Sequence, residues 1–341
     1  MTRTGRSVKS RIHFQLSVLL IALVLPFYIS ASPFSVNGRL HVSGNQLVNE
    51  CGSPVQLRGV SSHGLQWYGL ISCFDFCCIS ASGINYLANT VGIDVFRIAV
   101  YPEPNGYISN PSGFTQQVNN IVQMCEDNGI YALIDWHVLT PGDPNADIVY
   151  ARTFWESMAT AHKDSRNVIY EICNEPNGVS WSQVVTYAND IIPRIRAIDP
   201  NAVIVVGTPN WSQLGSDVVN NKLSYSNIMY TFHFYAATHN TGMLTSFVGQ
   251  LPIFVSEWAA TEASGLGATN YTVADSFISI MATNKISWCA WNWSEAPETS
   301  GMLNAGTCDT ANWSSLKPTG SYVVGKVSNP ADSFTACNIL F

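Results

Sequence analysis

The sequence has few charged residues, and the positively charged ones are the scarcest. Lys and Arg number 16 against 23 Asp and Glu, and charged residues make up 11% of the 341 residues. The formal net charge is −7. A surface of this sign repels phosphate groups, which argues against nucleic-acid binding and favours an uncharged substrate.

The chain also lacks an apolar run long enough to cross a membrane. The run from Phe14 to Leu25 has 12 residues, whereas a spanning helix needs roughly 20. Basic residues precede it (Arg3, Arg6, Lys9 and Arg11), and Ile29-Ser30-Ala31 follows it. This order is typical of a secretory signal peptide rather than of a membrane anchor. We therefore expect removal of residues 1–31, a mature chain with a formal charge of −11, and secretion to the extracellular space.

Cysteine, by contrast, is plentiful, with nine residues. In an exported chain they predict disulfides, and the odd number leaves at least one unpaired, but the sequence does not give the pairing. Cys73-x3-Cys77-Cys78 lacks the second pair and the nearby His of a zinc site, so we expect these cysteines to staple the loop after the first strand. Cys173 and Cys289 lie in apolar runs and are interpreted as buried thiols rather than catalytic nucleophiles.

No Pro-, Ser- or Gly-rich linker and no internal repeat divides residues 32–341, which are therefore predicted to form one catalytic domain. Eight short apolar runs recur along them: Val55 to Gly59, Val95 to Val100, Tyr131 to Trp136, Val168 to Cys173, Ala202 to Gly207, Ile228 to Phe234, Ile253 to Ser256 and Ser287 to Asn292. Helical patterns lie between them, including Phe114 to Asn128, Arg152 to Lys163, Trp181 to Ile198 and Thr272 to Asn284.

Apolar strands that alternate with amphipathic helices indicate a parallel sheet covered on both faces. Eight such units predict an α/β protein with a (β/α)8 TIM barrel, and a doubly wound open sheet is the alternative. The segment from Leu40 to Val55, with its Ser43-Gly44-Asn45 turn, is predicted to be an N-terminal β-hairpin that closes the barrel bottom.

In such a barrel the loops after the strands build the active site, so the residues that end each run are informative. Polar or aromatic side chains end most of them: Arg97 in VFRIAVYP, His137 in IDWHV, Asn174 and Glu175 in YEICNEPNG, His233 and Tyr235 in TFHFYA, Glu257 in VSEW, and Trp291 in AWNW. Each alone could be structural, but together they place two carboxylates in one cavity, where burial is costly.

Glu175 and Glu257 follow the fourth and seventh runs, on opposite sides of the predicted barrel mouth. Two carboxylates that face each other across a polar cavity are what acid/base cleavage of a glycoside requires. Glu171 lies four residues before Glu175, inside the strand. We expect it to point to the same side but deeper, where it pairs with Arg97.

Asn174-Glu175-Pro176 after an apolar strand, with Val255-Ser256-Glu257-Trp258 downstream, resembles glycoside hydrolase family 5. LRGVSSHGLQWYG, FRIAVYP, IDWHV, TFHFYA and WNWS extend the similarity from Leu40 to Glu298 and resemble the bacterial-type endo-β-1,4-glucanase subfamily. The resemblance implies a secreted, monomeric, retaining cellulase that hydrolyses internal β-1,4 bonds of cellulose or mixed-linkage glucan by double displacement. It implies no metal, no cofactor and no membrane partner.

Carried over by position, the resemblance makes Glu175 the general acid/base and Glu257 the nucleophile. The supporting roles it implies are Arg97 and Tyr235 as partners of Glu257, His233 as partner of Glu175, His137 and Asn174 near the sugar 2-hydroxyl, Trp291 beneath the sugar, and His63, Trp67, Tyr101 and Glu298 in neighbouring subsites. Neighbouring negative charge is expected to raise the pKa of Glu175. Ala296 stands where the relatives have a sugar-binding lysine, a departure that affects the distal subsite.

Other interpretations remain open at this stage. A mannanase or xyloglucanase on the same scaffold would share the two glutamates. A binding protein without activity would be expected to have lost one of them. A metal-dependent hydrolase would use His137, His233 and Glu257 as ligands, and a chelator would abolish its activity.

Overall fold

The computed structural model describes residues 1–2, 32–68, 78–103, 105–330 and 337. Nearly all of the predicted signal peptide, and both Cys73 and Cys77, lie outside these residues. The barrel and its connecting helices belong to the compact unit that runs from Ser32 to Phe341.

An antiparallel hairpin precedes the main sheet, as predicted. Strands β1 (His41–Ser43) and β2 (Gln46–Val48) pair with Val42 opposite Leu47, around the predicted turn. Leu40 and Leu47 pack against apolar side chains at one end of the barrel interior. The hairpin thus covers the barrel bottom.

Eight parallel strands form a closed barrel in chain order, with the last strand paired to the first. They are β3 (Arg58–Ser62), β4 (Val95–Val100), β5 (Tyr131–Trp136), β6 (Val168–Glu171), β7 (Val203–Val206), β8 (Ile228–Tyr235), β9 (Ile253–Ala259) and β10 (Ser287–Trp293). The prediction of a (β/α)8 barrel is confirmed, and the open-sheet alternative is wrong.

The first barrel strand begins later than the predicted run from Val55. The Val55 N–H donates to Leu47 O (2.9 Å), and the Leu57 N–H donates to Ser287 Oγ (2.9 Å). These residues therefore form the link from hairpin to barrel. Pairing of the first barrel strand starts at Arg58 with β10 and at Gly59 with β4.

Helices connect and cover the strands. They are α1 (Pro33–Asn37), α2 (Leu65–Tyr68), α3 (Ala81–Tyr86, continued by a π-helical turn at Leu87–Val91), α4 (Pro111–Asp127), α5 (Ile148–His162), α6 (Trp181–Ile198), α7 (Pro209–Ser212), α8 (Ser216–Asn220), α9 (Gly242–Thr245), α10 (Tyr271–Thr283), α11 (Thr307–Thr310) and α12 (Pro318–Ser328), with a 3₁₀ turn at Tyr107–Ser109.

Local sequence explains where the long helices begin. The Asn110 side chain accepts from the Gly113 N–H at the start of α4, and Pro111 occupies the first helical position. Ser180 and Gln183 form a capping box at the start of α6.

In the part of the chain that the structure describes, no helix is long and apolar enough to cross a membrane.

The barrel interior has two layers, because inward-facing residues recur every second position along a strand. The lower layer is apolar and contains Val95, Leu133, Ile169, Met229 and Phe254. The upper layer lies two residues further along the same strands and is polar. It contains Arg97, Asp135, Glu171, Thr231 and Ser256, all fully buried.

Among the described residues, two disulfides join parts of the chain that are distant in sequence. Cys51 pairs with Cys337, and Cys78 pairs with Cys308 near the loop after β10. Cys125, Cys173 and Cys289 are free and buried, and burial raises the pKa of each thiol. The interpretation of Cys173 and Cys289 as buried thiols is therefore confirmed.

Candidate active site

The guanidinium of Arg97 is the centre of the upper layer. It reaches three carboxylates: Glu171 through Nε (2.7 Å), Asp135 through Nη2 (3.0 Å) and Glu257 through Nη1 (3.1 Å). Burial alone would lower the pKa of Arg97, but these negative charges raise it well above its usual value. The predicted contact between Arg97 and Glu171 is present.

Glu257 extends from β9 and is held by two donors. Arg97 donates to Oε2, and the Tyr235 hydroxyl donates to Oε1 (2.6 Å). The register of β8 and β9 places His233 opposite Glu257, which brings Tyr235 within reach. A cation and a phenol donor both stabilise the ionised form of a carboxylate.

Glu175 follows β6 and has a different environment. Its Oε1 lies 2.7 Å from Nδ1 of His233. Burial is the main cause that raises the pKa of Glu175 to about 8, with Arg97 opposing it and Asp135 and Glu171 adding to it. The expected effect of neighbouring negative charge is present, but removal from water has the larger effect.

Burial acts on His233 in the opposite sense and lowers its pKa to about 4. A proton shared between the two side chains therefore resides on the Glu175 carboxyl group. Near neutral pH the site contains a protonated Glu175 beside a neutral imidazole.

One carboxylate oxygen of Glu175, one of Glu257 and a ring nitrogen of His233 all lie within 4.8 Å of one another. This spacing would also suit a metal ion. However, both nitrogens of His233 already have partners, Glu175 at Nδ1 and Ser256 Oγ at Nε2 (3.0 Å). His137, the further ligand in the metal-hydrolase interpretation, is not part of this group, and its Nδ1 contacts Asp135 Oδ2 at 2.6 Å.

The only other potential ligand group among the described residues combines Glu295 with Cys78 and Cys308. Those two sulfurs form a disulfide and are not available as thiolates. Neither group fits a resident metal.

Aromatic rings form a continuous wall beside Glu257. His137 stacks on Trp291 with centroids 5.3 Å apart, and Tyr101 packs on His137 at 4.1 Å. Trp67 lies 5.2 Å from both His63 and Tyr101 and is 51% exposed. The structure thus brings these predicted residues together along one side of the cavity.

Two further predicted residues, Glu298 and Asn174, contact residues of the site already described. The Glu298 carboxylate lies 3.6 Å from His63 Nε2, which lowers the pKa of Glu298. Asn174 accepts from Arg97 Nη2 (2.6 Å) and donates to Val138 O (3.3 Å), so its side chain is fixed against the upper layer.

Trp211 is a candidate substrate-binding residue that the sequence did not reveal. It lies in a turn after β7 in which Asn210, Trp211 and Ser212 all have φ near +57°, a conformation that costs roughly 1–2 kcal/mol per residue. The Trp211 N–H donates to Pro176 O (3.1 Å), next to Glu175, and its indole is 54% exposed. Asn210 is a residue type that tolerates this conformation, but nothing in the Pro-Asn-Trp-Ser stretch signals it for Trp211 and Ser212 as well.

Asp135, Thr231 and Ser256 were also missed. Strand alternation could have identified Asp135, since it lies two residues before His137 and therefore faces the same cavity. Ser and Thr carry no comparable signal, because both are common at structural positions.

A carboxyl group with a raised pKa, Glu175, and a carboxyl group held by an arginine and a phenol, Glu257, thus face one cavity lined by aromatic rings, at the C-terminal end of a closed parallel barrel. Paired carboxylates of this kind cleave acetals, and aromatic faces bind sugar rings. The fold and the site together define a glycoside hydrolase of the (β/α)8 class.

Comparison with known proteins gives the family. Residues 48–297 match the model of the cellulases, glycosyl hydrolase family 5. The chain therefore belongs to this family, which confirms the resemblance seen in the sequence.

Among curated relatives, endoglucanase CelA of Streptomyces lividans is 43% identical over 316 residues, which cover 89% of this chain and 67% of that protein. Endoglucanase E-5 of Thermobifida fusca is 40% identical over 313 residues, or 88% and 66% of the two chains. This chain spans about two thirds of the length of these relatives. The solved catalytic domain of the Thermobifida fusca endoglucanase has a TM-score of 0.83 at 40% identity and covers 87% of this chain and 100% of that one. A variant of that domain has been solved with cellotetraose.

Proposed function

We propose that this protein is a secreted, retaining endo-β-1,4-glucanase that acts on cellulose or mixed-linkage glucan. The observation that carries the proposal is the pair of unlike carboxyl groups, with Glu175 protonated and Glu257 held by Arg97 and Tyr235, within 4.8 Å of each other. The names of the similar proteins and the cellotetraose complex of one of them support a glucan substrate.

In the first step Glu257 attacks the anomeric carbon while Glu175 donates its proton to the glycosidic oxygen. The bond from carbon to the leaving oxygen breaks, and a bond from carbon to the Glu257 carboxylate forms. The leaving chain departs as an alcohol, and Glu175 becomes a carboxylate. Its pKa of about 8 keeps it protonated near neutral pH until this moment.

In the second step Glu175 accepts a proton from water, and the oxygen of that water displaces Glu257 from the anomeric carbon. Two displacements restore the starting configuration. Retaining enzymes place their carboxyl groups roughly 5 to 5.5 Å apart, whereas inverting enzymes need about 6.5 to 9.5 Å to admit a water molecule between them. The separation of at most 4.8 Å between oxygens of Glu175 and Glu257 favours retention.

The exposed aromatic side chains favour cleavage inside a chain rather than at its end. Trp67 follows β3, and Trp211 follows β7, which lies on the opposite side of the eight-stranded barrel. A glucan that contacts both would cross the barrel mouth over Glu175 and Glu257. Sugar rings would then be bound on both sides of the bond that breaks.

The distal end of this path differs from the family pattern at Ala296. The Lys317 ammonium donates to the carbonyl oxygens of Ala296 (2.6 Å) and Glu298 (3.0 Å). This lysine immediately precedes α12 and holds the backbone of the loop that follows β10. We expect Glu298 and His63 to contact the distal glucose there without help from a lysine at position 296.

Export is supported by two observations. The N-terminal charge and apolar pattern is that of a signal peptide. The two disulfides, Cys51 to Cys337 and Cys78 to Cys308, are typical of a chain that folds in an oxidising compartment.

The test is hydrolysis of carboxymethylcellulose, with mannan and xyloglucan in parallel, by the parent protein, Glu175→Gln and Glu257→Gln. Glu126→Gln, on the exposed side of α4, is the matched control. We expect cleavage of the cellulose derivative, a fall in viscosity that precedes the release of reducing ends, loss of about 10³-fold or more in both site variants, and no change with a chelator.

Full activity in either site variant would overturn the assignment of the two carboxylates. Preference for mannan or xyloglucan would leave the mechanism in place and replace the substrate.

A further inference from the structure

His233 links Glu175 to a buried hydroxyl group. Its Nδ1 lies 2.7 Å from Glu175 Oε1, and its Nε2 lies 3.0 Å from Ser256 Oγ. The ring is 1% exposed, so water does not compete for either nitrogen. Which nitrogen carries the hydrogen therefore depends on these two partners.

Behind Ser256 lies Glu171, whose two oxygens are fully engaged. Oε2 accepts from Arg97 Nε (2.7 Å), and Oε1 accepts from the hydroxyls of both Ser256 and Thr231, the latter at 3.0 Å. Burial raises the pKa of Glu171, whereas Arg97 and the Ser256 hydroxyl lower it. With an arginine and two hydroxyls around it, both carboxyl oxygens act as acceptors. The single hydrogen of the Ser256 hydroxyl is thus directed at Glu171.

The direction of the Ser256 hydrogen determines which ring nitrogen of His233 carries a hydrogen. Ser256 offers only lone pairs to the ring, so Nε2 must carry the hydrogen. Because burial keeps the imidazole neutral, Nδ1 then carries none and can only accept. The hydrogen between Nδ1 and Oε1 belongs to Glu175.

We propose that Ser256, backed by Glu171, is a positioning residue that fixes His233 in its Nε2–H tautomer and thereby keeps the transferable proton on Glu175. The proposal rests on the proposed function, in which Glu175 is the acid/base. With the other tautomer, Nδ1–H would donate to Glu175 and stabilise it without its proton. The lone pair of Nε2 would then face the lone pairs of Ser256.

The same arrangement assists the second step. Once Glu175 has given up its proton, its carboxylate faces the lone pair of Nδ1, which is unfavourable. That repulsion makes Glu175 a better base towards the incoming water molecule.

Other charged or titratable groups also face this pair. Arg97, Asp135 and Glu171 act on Glu175, and Glu257 and His239 act on His233. The phenols of Tyr101 and Tyr235 also lie within electrostatic reach of Glu175. Ser256→Ala leaves all of these groups in place but removes one hydroxyl donor from Glu171. Thr231→Val removes the other hydroxyl donor from the same oxygen, so a pH shift seen only in Ser256→Ala reports the tautomer.

The direct test needs no change at Ser256. The ¹⁵N chemical shifts of histidine ring nitrogens distinguish the two neutral tautomers, and the His233 signals can be assigned from their loss in His233→Asn. We expect a protonated Nε2 and an unprotonated Nδ1 in the parent protein at pH 6 to 7. A protonated Nδ1 would overturn the proposal, whether or not the protein cleaves glucan.

The functional test compares Ser256→Ala with Ser256→Thr, which keeps a hydroxyl, and with Thr231→Val. Thr231 donates to the same oxygen of Glu171. Unlike Ser256, its hydroxyl makes no hydrogen bond to a His233 ring nitrogen within the described part of the chain, so its substitution is the matched control. In the parent, kcat/KM should fall above about pH 8, where Glu175 loses its proton. In Ser256→Ala this fall should move to lower pH by about one unit or more, whereas Thr231→Val should keep the parental position and Ser256→Thr should restore it.

Substrates with different leaving groups add a second readout. An aryl cellobioside with an acidic leaving phenol needs little help from Glu175, so Ser256→Ala should reduce its cleavage far less than that of an unactivated oligosaccharide. Equal losses on both substrates, or the same pH shift in Thr231→Val, would show that Ser256 is merely structural and would contradict the proposal.

Discussion

The lower and upper layers of the barrel interior are built on the same strands, two residues apart, and contain opposite chemistry. Val95 is followed by Arg97, and Leu133 is followed by Asp135. Strand alternation directs the side chains of both layers inward. Their residue types determine whether burial stabilises or destabilises the protein. Burial of the lower layer stabilises the fold, whereas burial of the upper layer costs desolvation, and ion pairs offset only part of that cost.

The upper layer also contains more carboxyl groups than cationic side chains. Arg97 is shared by Asp135, Glu171 and Glu257, and burial raises the pKa of Asp135. Such an arrangement is a poor way to stabilise a protein, but it positions the groups that hold Glu257 and that determine the proton on Glu175. The comparison therefore predicts that substitutions in the two layers will separate activity from stability.

The largest effect is expected for Arg97→Met, because it leaves three buried carboxylates without their shared cation. We expect kcat/KM to fall by more than about 10³-fold and the free energy of unfolding to fall by roughly 3–5 kcal/mol. Arg58→Met is the control, since Arg58 pairs with Asp94 at the other end of the barrel. Urea unfolding measures the change in stability, and steady-state kinetics measure the change in activity. Loss of activity in a folded Arg58→Met variant would contradict the predicted separation of the two layers.

Phe254→Ala should affect stability alone. Phe254 is fully buried in the lower layer, and deletion of a buried phenylalanine ring costs about 3–5 kcal/mol. The kcat of the folded fraction should stay at the parental value, as measured below the unfolding transition. A change in kcat comparable with that of Arg97→Met would mean that the lower layer also positions the site.

The smallest effects are expected when one tyrosine hydroxyl is removed at each end of the barrel interior. Tyr235→Phe removes a hydroxyl donor from Glu257, and Tyr131→Phe removes one from Gly38 O (2.6 Å) at the barrel bottom. A hydrogen bond to a charged group contributes about 1.5–3 kcal/mol, so we expect Tyr235→Phe to lower kcat/KM by about 10- to 100-fold. Tyr131→Phe should lower the free energy of unfolding by about 1 kcal/mol without affecting kcat/KM. A loss of activity in Tyr131→Phe would contradict the separation.

Much of the fold could be predicted from the sequence because buried parallel strands are continuous apolar runs. The runs from Val95 to Val100 and from Tyr131 to Trp136 coincide with β4 and β5. The site followed from charged residues at the ends of such runs, where simple packing would not place Glu175 or Glu257.

The features that could not be predicted from the sequence depend on contacts between residues that are distant along the chain. The pairing of Cys51 with Cys337 joins positions 286 residues apart. The hydroxyl of Ser256 acquires a direction only because Glu171 and His233 flank it. Trp211 reaches the rim through a left-handed turn that hydrogen bonds to the Asn174–Pro176 segment stabilise, and no local propensity predicts that conformation.

The central claim is that Glu257 is the nucleophile of a retaining reaction in which Glu175 gives and takes the proton. A cellobioside with fluorine at carbon 2 and an activated leaving group forms the glycosyl-enzyme quickly and releases it slowly, so digestion and mass spectrometry can locate the sugar. We predict that the sugar is attached to Glu257, in the peptide that contains Val255-Ser256-Glu257-Trp258. Attachment to Glu171 or Glu175, or an unlabelled protein whose first-formed product has the inverted anomeric configuration, would contradict the account.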